Sequence, residues 1–449
     1  MNEPLLCPKI RKRLLRSIDA DRLVVLCGAG LSMAEPSNLP CASRIAEICF
    51  DKYRDSTDSD MSPELRLNLE ALAEHFSNEE QNGLVYFIEN LVPWDEFASH
   101  PNFGHSAIAD LLITRAAVAC LSCNFDELIE RGAQKYGADF RGSLDGEQAV
   151  NYSRSQAPLL KLHGCLRLDR ISTVWTQSQL DNSNISDRIE KNKNWMRTNL
   201  SQKDLLVVGF WSDWCYLNQI IADALQGTDP KSVTVIDLLE KKALEEKAPE
   251  LWALLHQPNI DFAHVRGSGA EVLDELRRAF SESYLRQLMA AGRDEFEQRT
   301  TLDFNQNWLS VDSSLSSEDL YSWRRDAEGV PNRKPATKKC PDKIRSKMLG
   351  CFHLLLRKAG AQQQREGYTL KEHSIRVING AGESISSVAE RFPVEPPASS
   401  LANIFVAVGA EETGMPGNII GRGSSDNILR TTAEERWLTF KQAQERLEL

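Results

Sequence analysis

Long hydrophobic runs are missing from this sequence of 449 residues. No apolar run approaches the roughly 18–20 residues that cross a bilayer, so the sequence predicts no membrane-spanning segment. Basic residues before Leu23–Leu26 resemble the start of a signal peptide, but Asp19 and Asp21 directly precede the apolar run and Gly28-Ala29-Gly30 follows it. We therefore expect a soluble, cytoplasmic protein that does not bind a membrane.

An excess of basic residues is also missing. The chain has 53 Lys and Arg against 64 Asp and Glu, which gives a net charge of −11. This balance excludes a uniformly basic nucleic-acid coat, although it does not exclude a local basic patch.

Paired cysteine motifs are scarce. Of 10 cysteines, only Cys120 and Cys123 have the C-x2-C spacing, and no second pair completes a four-ligand zinc site. Both lie in or beside an apolar stretch that is typical of a buried strand. We therefore expect reduced thiols and no metal.

Short apolar segments alternate with segments of helical pattern over the first part of the chain. The predicted strands are Leu23–Leu26, Ala117–Ser122, Leu159–Leu162, Leu205–Gly209, Ser232–Leu238 and Ile260–Val265. Such alternation is typical of a parallel sheet covered by helices on both faces. The sequence thus predicts an α/β fold over residues 1–290, a Rossmann-like parallel sheet with a helical insertion between Pro40 and His105.

The composition changes after residue 290. Residues 324–347 contain nine Lys and Arg, three acidic residues and three prolines. We predict a linker or basic arm over residues 291–345, either solvated or in contact with nucleic acid or an acidic partner. Residues 346–449 are predicted to form a smaller α+β domain.

Polar or glycine-rich residues follow the predicted strands. They are Gly28, Ala29, Gly30 and Ser32 after the first strand, Asn124 and Asp126 after the second, His163 after the third, Gly209, Ser212 and Asp213 around the end of the fourth, and Asp237 in the fifth. Open parallel sheets bind ligands at the carboxyl ends of their strands. Taken singly, the glycine loop could be a structural turn, Asp126 a helix cap and His163 a structural residue, but the complete set favours a ligand site.

The residue types suggest a nucleotide. Two glycines let the backbone approach a pyrophosphate, although Met33 replaces the third glycine of the dehydrogenase fingerprint. Asn124 offers a donor and an acceptor, which suits ribose hydroxyls or the orientation of a water. His163 is a candidate general base, and Asp237 is placed to meet a sugar hydroxyl.

The order of these motifs resembles that of the sirtuin superfamily over about residues 20–285. The resemblance implies a Rossmann-like fold that binds NAD and breaks its nicotinamide–ribose bond. It implies that Asn124 and His163 are the catalytic pair. It also implies a set of residues that line the dinucleotide, namely Gly28, Ala29, Gly30, Ser32, Asp126, Gly209, Ser212, Asp213 and Asp237.

Two departures from protein-deacylating sirtuins are visible. Asn38–Arg44 replaces their G-I-P-D-F-R segment, and the interval between His163 and Gly209 contains only Cys165 instead of a four-cysteine zinc module. The chain therefore resembles a divergent branch of bacterial antiphage systems whose members hydrolyse NAD and deplete the infected cell of it.

This resemblance implies an NAD glycohydrolase that uses NAD as substrate without a metal and acts by abortive infection. The alternatives are an NAD-dependent deacylase or ADP-ribosyl transferase, and a nucleotide sensor or scaffold without turnover. Such an enzyme needs a gate in resting cells. The resemblance suggests a homo-oligomer, a partner protein or a nucleic-acid trigger, with the C-terminal region sensing or assembling.

Overall fold

The computed structural model describes residues 4–57, 61–79, 82–151, 159–211, 214–331, 333–392, 402–411 and 436–449. The chain divides into two compact units, residues 1–276 and 277–449. None of the helices described in these ranges is long and apolar enough to cross a bilayer.

The first unit alternates strands and helices. Its described strands are β1 (Leu23–Cys27), β2 (Ala119–Ser122), β3 (Leu159–Lys161), β4 (Asp204–Val208), β5 (Ser232–Asp237) and β6 (Asp261–Arg266). Its described helices are α1 (Pro8–Asp19), α2 (Ala29–Ser32), α3 (Ala42–Thr57), α4 (Leu69–Glu79), α5 (Gly83–Tyr86), α6 (Phe103–Ile113), α7 (Leu128–Lys135), α8 (Gly146–Asn151), α9 (Ser183–Leu200), α10 (Cys215–Leu225), α11 (Lys241–Lys247), α12 (Pro249–Leu255) and α13 (Gly269–Ala291), which continues past residue 276.

The six strands form one parallel sheet in the order β3-β2-β1-β4-β5-β6. All residues of the central strands β1 and β4 are buried, which explains their nearly continuous apolar sequence. The strand order reverses between β1 and β4, and sheets of this kind bind ligands at that point. The predicted α/β, Rossmann-like fold is confirmed.

One predicted helix differs in the structure. The sequence of Leu239–Leu255 has a helical pattern that predicts a single helix, but the segment contains α11 and α12 with a break at Ala248. Pro249 begins α12. Proline lacks the amide hydrogen that a continuous helix needs, so the first helix ends just before it.

The second unit has a mixed sheet. Its described strands are β7 (Gln362–Gln364), β8 (Gly367–Leu370), β9 (His373–Asn379), β10 (Ile404–Val408) and β11 (Trp437–Thr439), in the order β11-β10-β9-β8-β7. β9, β10 and β11 are parallel, whereas β7, β8 and β9 are antiparallel. Its further described helices are α14 (Arg293–Thr300), α15 (Ser317–Glu328), α16 (Arg345–Lys358), α17 (Ile385–Arg391) and α18 (Phe440–Leu447).

The segment 291–345 differs from the predicted linker. It contains α14 and α15, and Asp326 of α15 accepts two hydrogen bonds of 2.7 Å from the buried guanidinium of Arg376 on β9. Arg324, which was counted as part of the basic arm, is fully buried. These side chains are packed into the second unit, which comprises residues 277–449.

Candidate functional site

A cavity of about 410 Å³ lies in the first unit at the carboxyl ends of the parallel strands. Ligand pockets commonly measure about 300–1,000 Å³. Its lining includes nine of the predicted site residues, namely Gly28, Ala29, Gly30, Ser32, Asn124, Asp126, His163, Gly209 and Asp237. The predicted residues Ser212 and Asp213 lie outside the described residues. The structure thus brings the described set together, while the roles of its members in binding and catalysis stay predictions.

The glycines after β1 let two backbone segments pack together. A Cβ atom on Gly28 would lie 2.6 Å from the Cα of Phe210, and one on Gly30 would lie 2.9 Å from the Cα of Gly209. The Gly30 amide also donates a 2.9 Å hydrogen bond to the Gly209 carbonyl. The packing of these segments therefore requires glycine even without a ligand, in agreement with the structural turn that the sequence left open. The approach of a pyrophosphate to this loop stays a prediction.

Asn124 follows β2 and projects its side chain to the end of β1. Its Nδ2 donates to the Gly28 carbonyl and to Ser32 Oγ, each over 3.1 Å. Its Oδ1 is buried and has no hydrogen-bond partner among the described residues. Because buried oxygens normally have partners, this atom is a ready acceptor for a ligand hydroxyl or a water.

Asp126 links the second strand to the first loop. Its Oδ2 accepts a 2.8 Å hydrogen bond from Ser32 Oγ, and its Oδ1 accepts one of 3.0 Å from the Leu128 amide at the start of α7. The buried Lys161 ammonium donates to the Asp126 backbone carbonyl and pairs with Glu130 over 3.1 Å. Asp126 thus accepts a hydrogen bond from the first amide of α7 and also lines the cavity.

His163 follows β3 and is enclosed by aromatic rings. Its ring stacks on Phe125 with the centroids 4.7 Å apart, and it packs edge-to-face with Trp214, with the centroids 4.5 Å apart. Its Nε2 lies 2.8 Å from the hydroxyl oxygen of Tyr216. Burial, and then the charge of Arg188, lower the pKa of His163 to about 3, against a hydrogen bond to the Cys123 backbone. The imidazole is therefore neutral at pH 7, as a proton acceptor must be.

Asp237 ends β5 at another part of the cavity. The side chain is half-buried, and its Oδ1 accepts a 2.9 Å hydrogen bond from the Leu239 amide. Burial raises the pKa of this carboxyl group, while the Leu239 amide opposes the rise. Asp237 thus lines the cavity, and its contact with a sugar hydroxyl stays a prediction.

Two residues that contact the site side chains are not indicated by the sequence motifs. His105 hydrogen-bonds Ser32 over 3.1 Å, and Tyr216 contacts His163. The helical pattern of the sequence predicts a helix over residues 105–114, whereas α6 begins at Phe103. Asn102 is its N-cap, and His105 completes a capping box. An asparagine three residues before a helical pattern is a recognisable cap signal. No local signal marks Tyr216.

Residues 118–262 match the family model of the SIR2-like domain. They include β2 to β5, the first two residues of β6, and both Asn124 and His163. The match supports a divergent SIR2-like domain in this part of the chain and an NAD-dependent enzyme in general terms. No curated protein matches the chain.

Solved structures of Sir2 proteins are similar at low identity. A mutant Sir2 homologue in complex with ADP-ribose is 18% identical, with 60% of this chain and 95% of that chain covered and a TM-score of 0.34. A Sir2 homologue in complex with NAD is 18% identical, with 59% and 91% covered and a TM-score of 0.32. Sir2Tm bound to a propionylated peptide is 15% identical, with 61% and 98% covered and a TM-score of 0.32.

Proposed function

We propose that the first unit is an NAD glycohydrolase that cleaves NAD to nicotinamide and ADP-ribose. The observation that carries the proposal is the placement of Asn124 and His163 on one cavity. The Oδ1 of Asn124 also has no hydrogen-bond partner among the described residues. A neutral acceptor and a neutral imidazole at one cavity are suited to hydroxyl groups and water.

The leaving group determines what the site must supply. Nicotinamide leaves as a neutral molecule from a cationic N-glycoside, so no side chain has to protonate it. Asn124 would hold a ribose hydroxyl or orient a water through Oδ1. His163 would take the proton from that water or from a ribose hydroxyl. The half-buried carboxylate of Asp237 would accept a hydrogen bond from a sugar hydroxyl.

Enclosure of His163 favours water over a peptide as the nucleophile. The side chain is 3% exposed and lies against Phe125 and Trp214. A water molecule can reach such a ring more easily than an acyl-lysine carried on a protein. Leu39, Pro40, Cys41 and Ala42, which occupy the position of the deacylase segment, also line the cavity with mainly apolar side chains.

We further propose that NAD depletion serves antiphage defence in the cytoplasm and that the second unit controls it. Control by a homo-oligomer, a partner protein or a nucleic-acid trigger would keep the enzyme inactive in resting cells. The support for this part is the sequence resemblance alone.

A nucleotide sensor without turnover is the second candidate. The contact between Nε2 of His163 and the Tyr216 hydroxyl favours it, because that nitrogen already has a protein partner. A deacylase would differ from both by requiring an acylated peptide for NAD cleavage.

The test is NAD consumption by the purified full chain, with products separated by chromatography. The wild type is compared with Asn124→Ala, His163→Ala and a control, Asn192→Ala, which removes another buried asparagine that does not line the cavity. Nicotinamide and ADP-ribose from the wild type and the control, and neither from the two site variants, are expected.

If the wild type is silent, the assay is repeated with lysate from phage-infected cells to supply a trigger. Continued silence with NAD bound would reject the hydrolase and support the sensor. Cleavage that needs an acylated peptide would support the deacylase.

A further inference from the structure

Four buried polar side chains form a hydrogen-bond network beside the cavity. Ser32 Oγ lies 3.1 Å from His105 Nε2, 2.8 Å from Asp126 Oδ2 and 3.1 Å from Asn124 Nδ2. Each of these four residues is at most 7% exposed. Since water has little access, donors and acceptors must match within the protein.

The backbone amide of Asn102 determines where His105 carries its proton. That amide donates to Nδ1 of His105 over 3.2 Å, and an amide N–H cannot accept a hydrogen bond. Nδ1 is therefore unprotonated, and the ring proton is on Nε2. Burial lowers the pKa of His105 to about 4, partly offset by the charge of Asp126, so the ring is neutral at pH 7. His105 thus donates from Nε2 to Ser32.

The direction of this hydrogen bond affects how the side-chain amide of Asn124 is oriented. The single hydroxyl proton of Ser32 goes to the carboxylate of Asp126, so Ser32 accepts from both His105 and Asn124. The Asn124 group that faces Ser32 also faces the Gly28 carbonyl at 3.1 Å, which only accepts. This group must be the amide NH₂, and Oδ1 is the atom left without a partner among the described residues.

We propose that His105 is a positioning residue that keeps the Oδ1 atom of Asn124 available to the substrate. Its bond to Ser32 holds the serine hydroxyl on Asp126. Without it, the hydroxyl can turn its proton towards Asn124 and compete with the amide NH₂. Only the Gly28 carbonyl then opposes a half-turn of the Asn124 amide, which would present NH₂ in place of Oδ1. The rate consequence rests on the proposed function, but the direction of the hydrogen bonds does not.

Two substitutions of His105 test the roles of its two ring nitrogens separately. In His105→Asn, the side-chain oxygen can replace Nδ1 as the acceptor for the Asn102 amide, but no donor reaches Ser32. In His105→Gln, the longer side chain places its amide near the position of Nε2 and can restore the donor. We expect His105→Asn to lower kcat for NAD cleavage by about 10²-fold with KM changed less than about threefold, since misplaced catalytic groups cost rates of this size. We expect His105→Gln to recover most of the rate.

His353→Asn is the matched control, because His353 is a buried histidine of the second unit whose Nδ1 bonds the Tyr368 hydroxyl over 2.9 Å. It should leave kcat unchanged, and thermal melting should show that all variants are folded at the assay temperature. Wild-type kcat in His105→Asn, or equal losses in the Asn and Gln variants, would overturn the positioning role.

A spectroscopic measurement tests the hydrogen-bond network independently of the proposed function. The protein is labelled with ¹⁵N at its eight histidines, and the His105 ring signals are identified by their loss in His105→Gln. At pH 7 we expect a neutral ring with the proton on Nε2. A proton on Nδ1, or a charged ring, would overturn the proposal. An inactive wild type with the expected ring signals would instead reject the proposed function and leave the network supported.

Discussion

Replacing Gly28 with alanine tests whether backbone packing requires glycine at the end of β1. The added Cβ would lie 2.6 Å from the Cα of Phe210 and 2.8 Å from the Gly209 carbonyl oxygen. Both neighbours are backbone atoms, which cannot rotate away as the end of a flexible side chain can. Ordinary contacts begin near 3.4 Å, so the two loops would have to separate by several tenths of an ångström.

Overpacking of this kind costs about 1–3 kcal/mol. In a large domain, 1 kcal/mol moves the melting temperature by about 2–4 °C, so the expected decrease is about 2–12 °C. The measurement is thermal unfolding of the ligand-free protein followed by tryptophan fluorescence. Because no NAD is present, a decrease reports on the packing of the loops and not on ligand binding.

Gly267→Ala is the control on the same cavity. A Cβ at Gly267 would meet only the Val272 and Leu5 side chains, at 3.4 and 3.9 Å. Its melting temperature should stay within about 2 °C of the wild type, as for a substitution that costs less than about 0.5 kcal/mol. If Gly28→Ala melts at the same temperature as Gly267→Ala, the packing explanation fails and ligand approach becomes the better reason for the glycine.

Two further predictions concern ionisable groups of the site. His105 and His163 have pKa values of about 4 and about 3, below the ordinary 6.5, so the unfolded chain takes up protons first as the pH falls below 6.5. Their contribution to the free energy of unfolding should therefore decrease below pH 6.5, by about 4 kcal/mol for the pair at pH 5; equal urea midpoints at pH 7 and pH 5 would contradict this. If Asp237 meets a ribose hydroxyl, its carboxylate should repel a 2′-phosphate, so Asp237→Asn should raise kcat/KM for NADP relative to NAD by about tenfold. An unchanged NADP to NAD ratio in parallel assays would remove Asp237 from substrate selection.

The fold of the first unit could be predicted because short stretches of its sequence indicate each strand and the turn that follows it. The strands of a buried parallel sheet are apolar along their whole length, as in β1, and each is followed by a polar or glycine-rich turn. Parallel strands end at one edge, so residues that follow different strands were expected to meet there. Asn124 and His163 do line one cavity with Asp237.

In the second unit, local sequence patterns do not predict the structure. β7 has the sequence Gln362–Gln364, which carries no apolar alternation, and it exists as a strand because it pairs with β8. Basic residues near α15 indicated a solvated arm, yet Arg376 supplies Asp326 with a buried partner from β9. Pairing between elements overrides local composition in both cases.

The directions of the hydrogen bonds at the site could not be predicted from the sequence either. The orientation of the Asn124 amide depends on the proton of Ser32, which depends on His105, whose tautomer depends on the Asn102 amide. Each step joins residues that only the fold brings together. A strand-end pattern can therefore indicate which side chains share a cavity. Whether they present a donor or an acceptor to the ligand depends on partners from other elements, and that choice determines which chemistry the cavity can support.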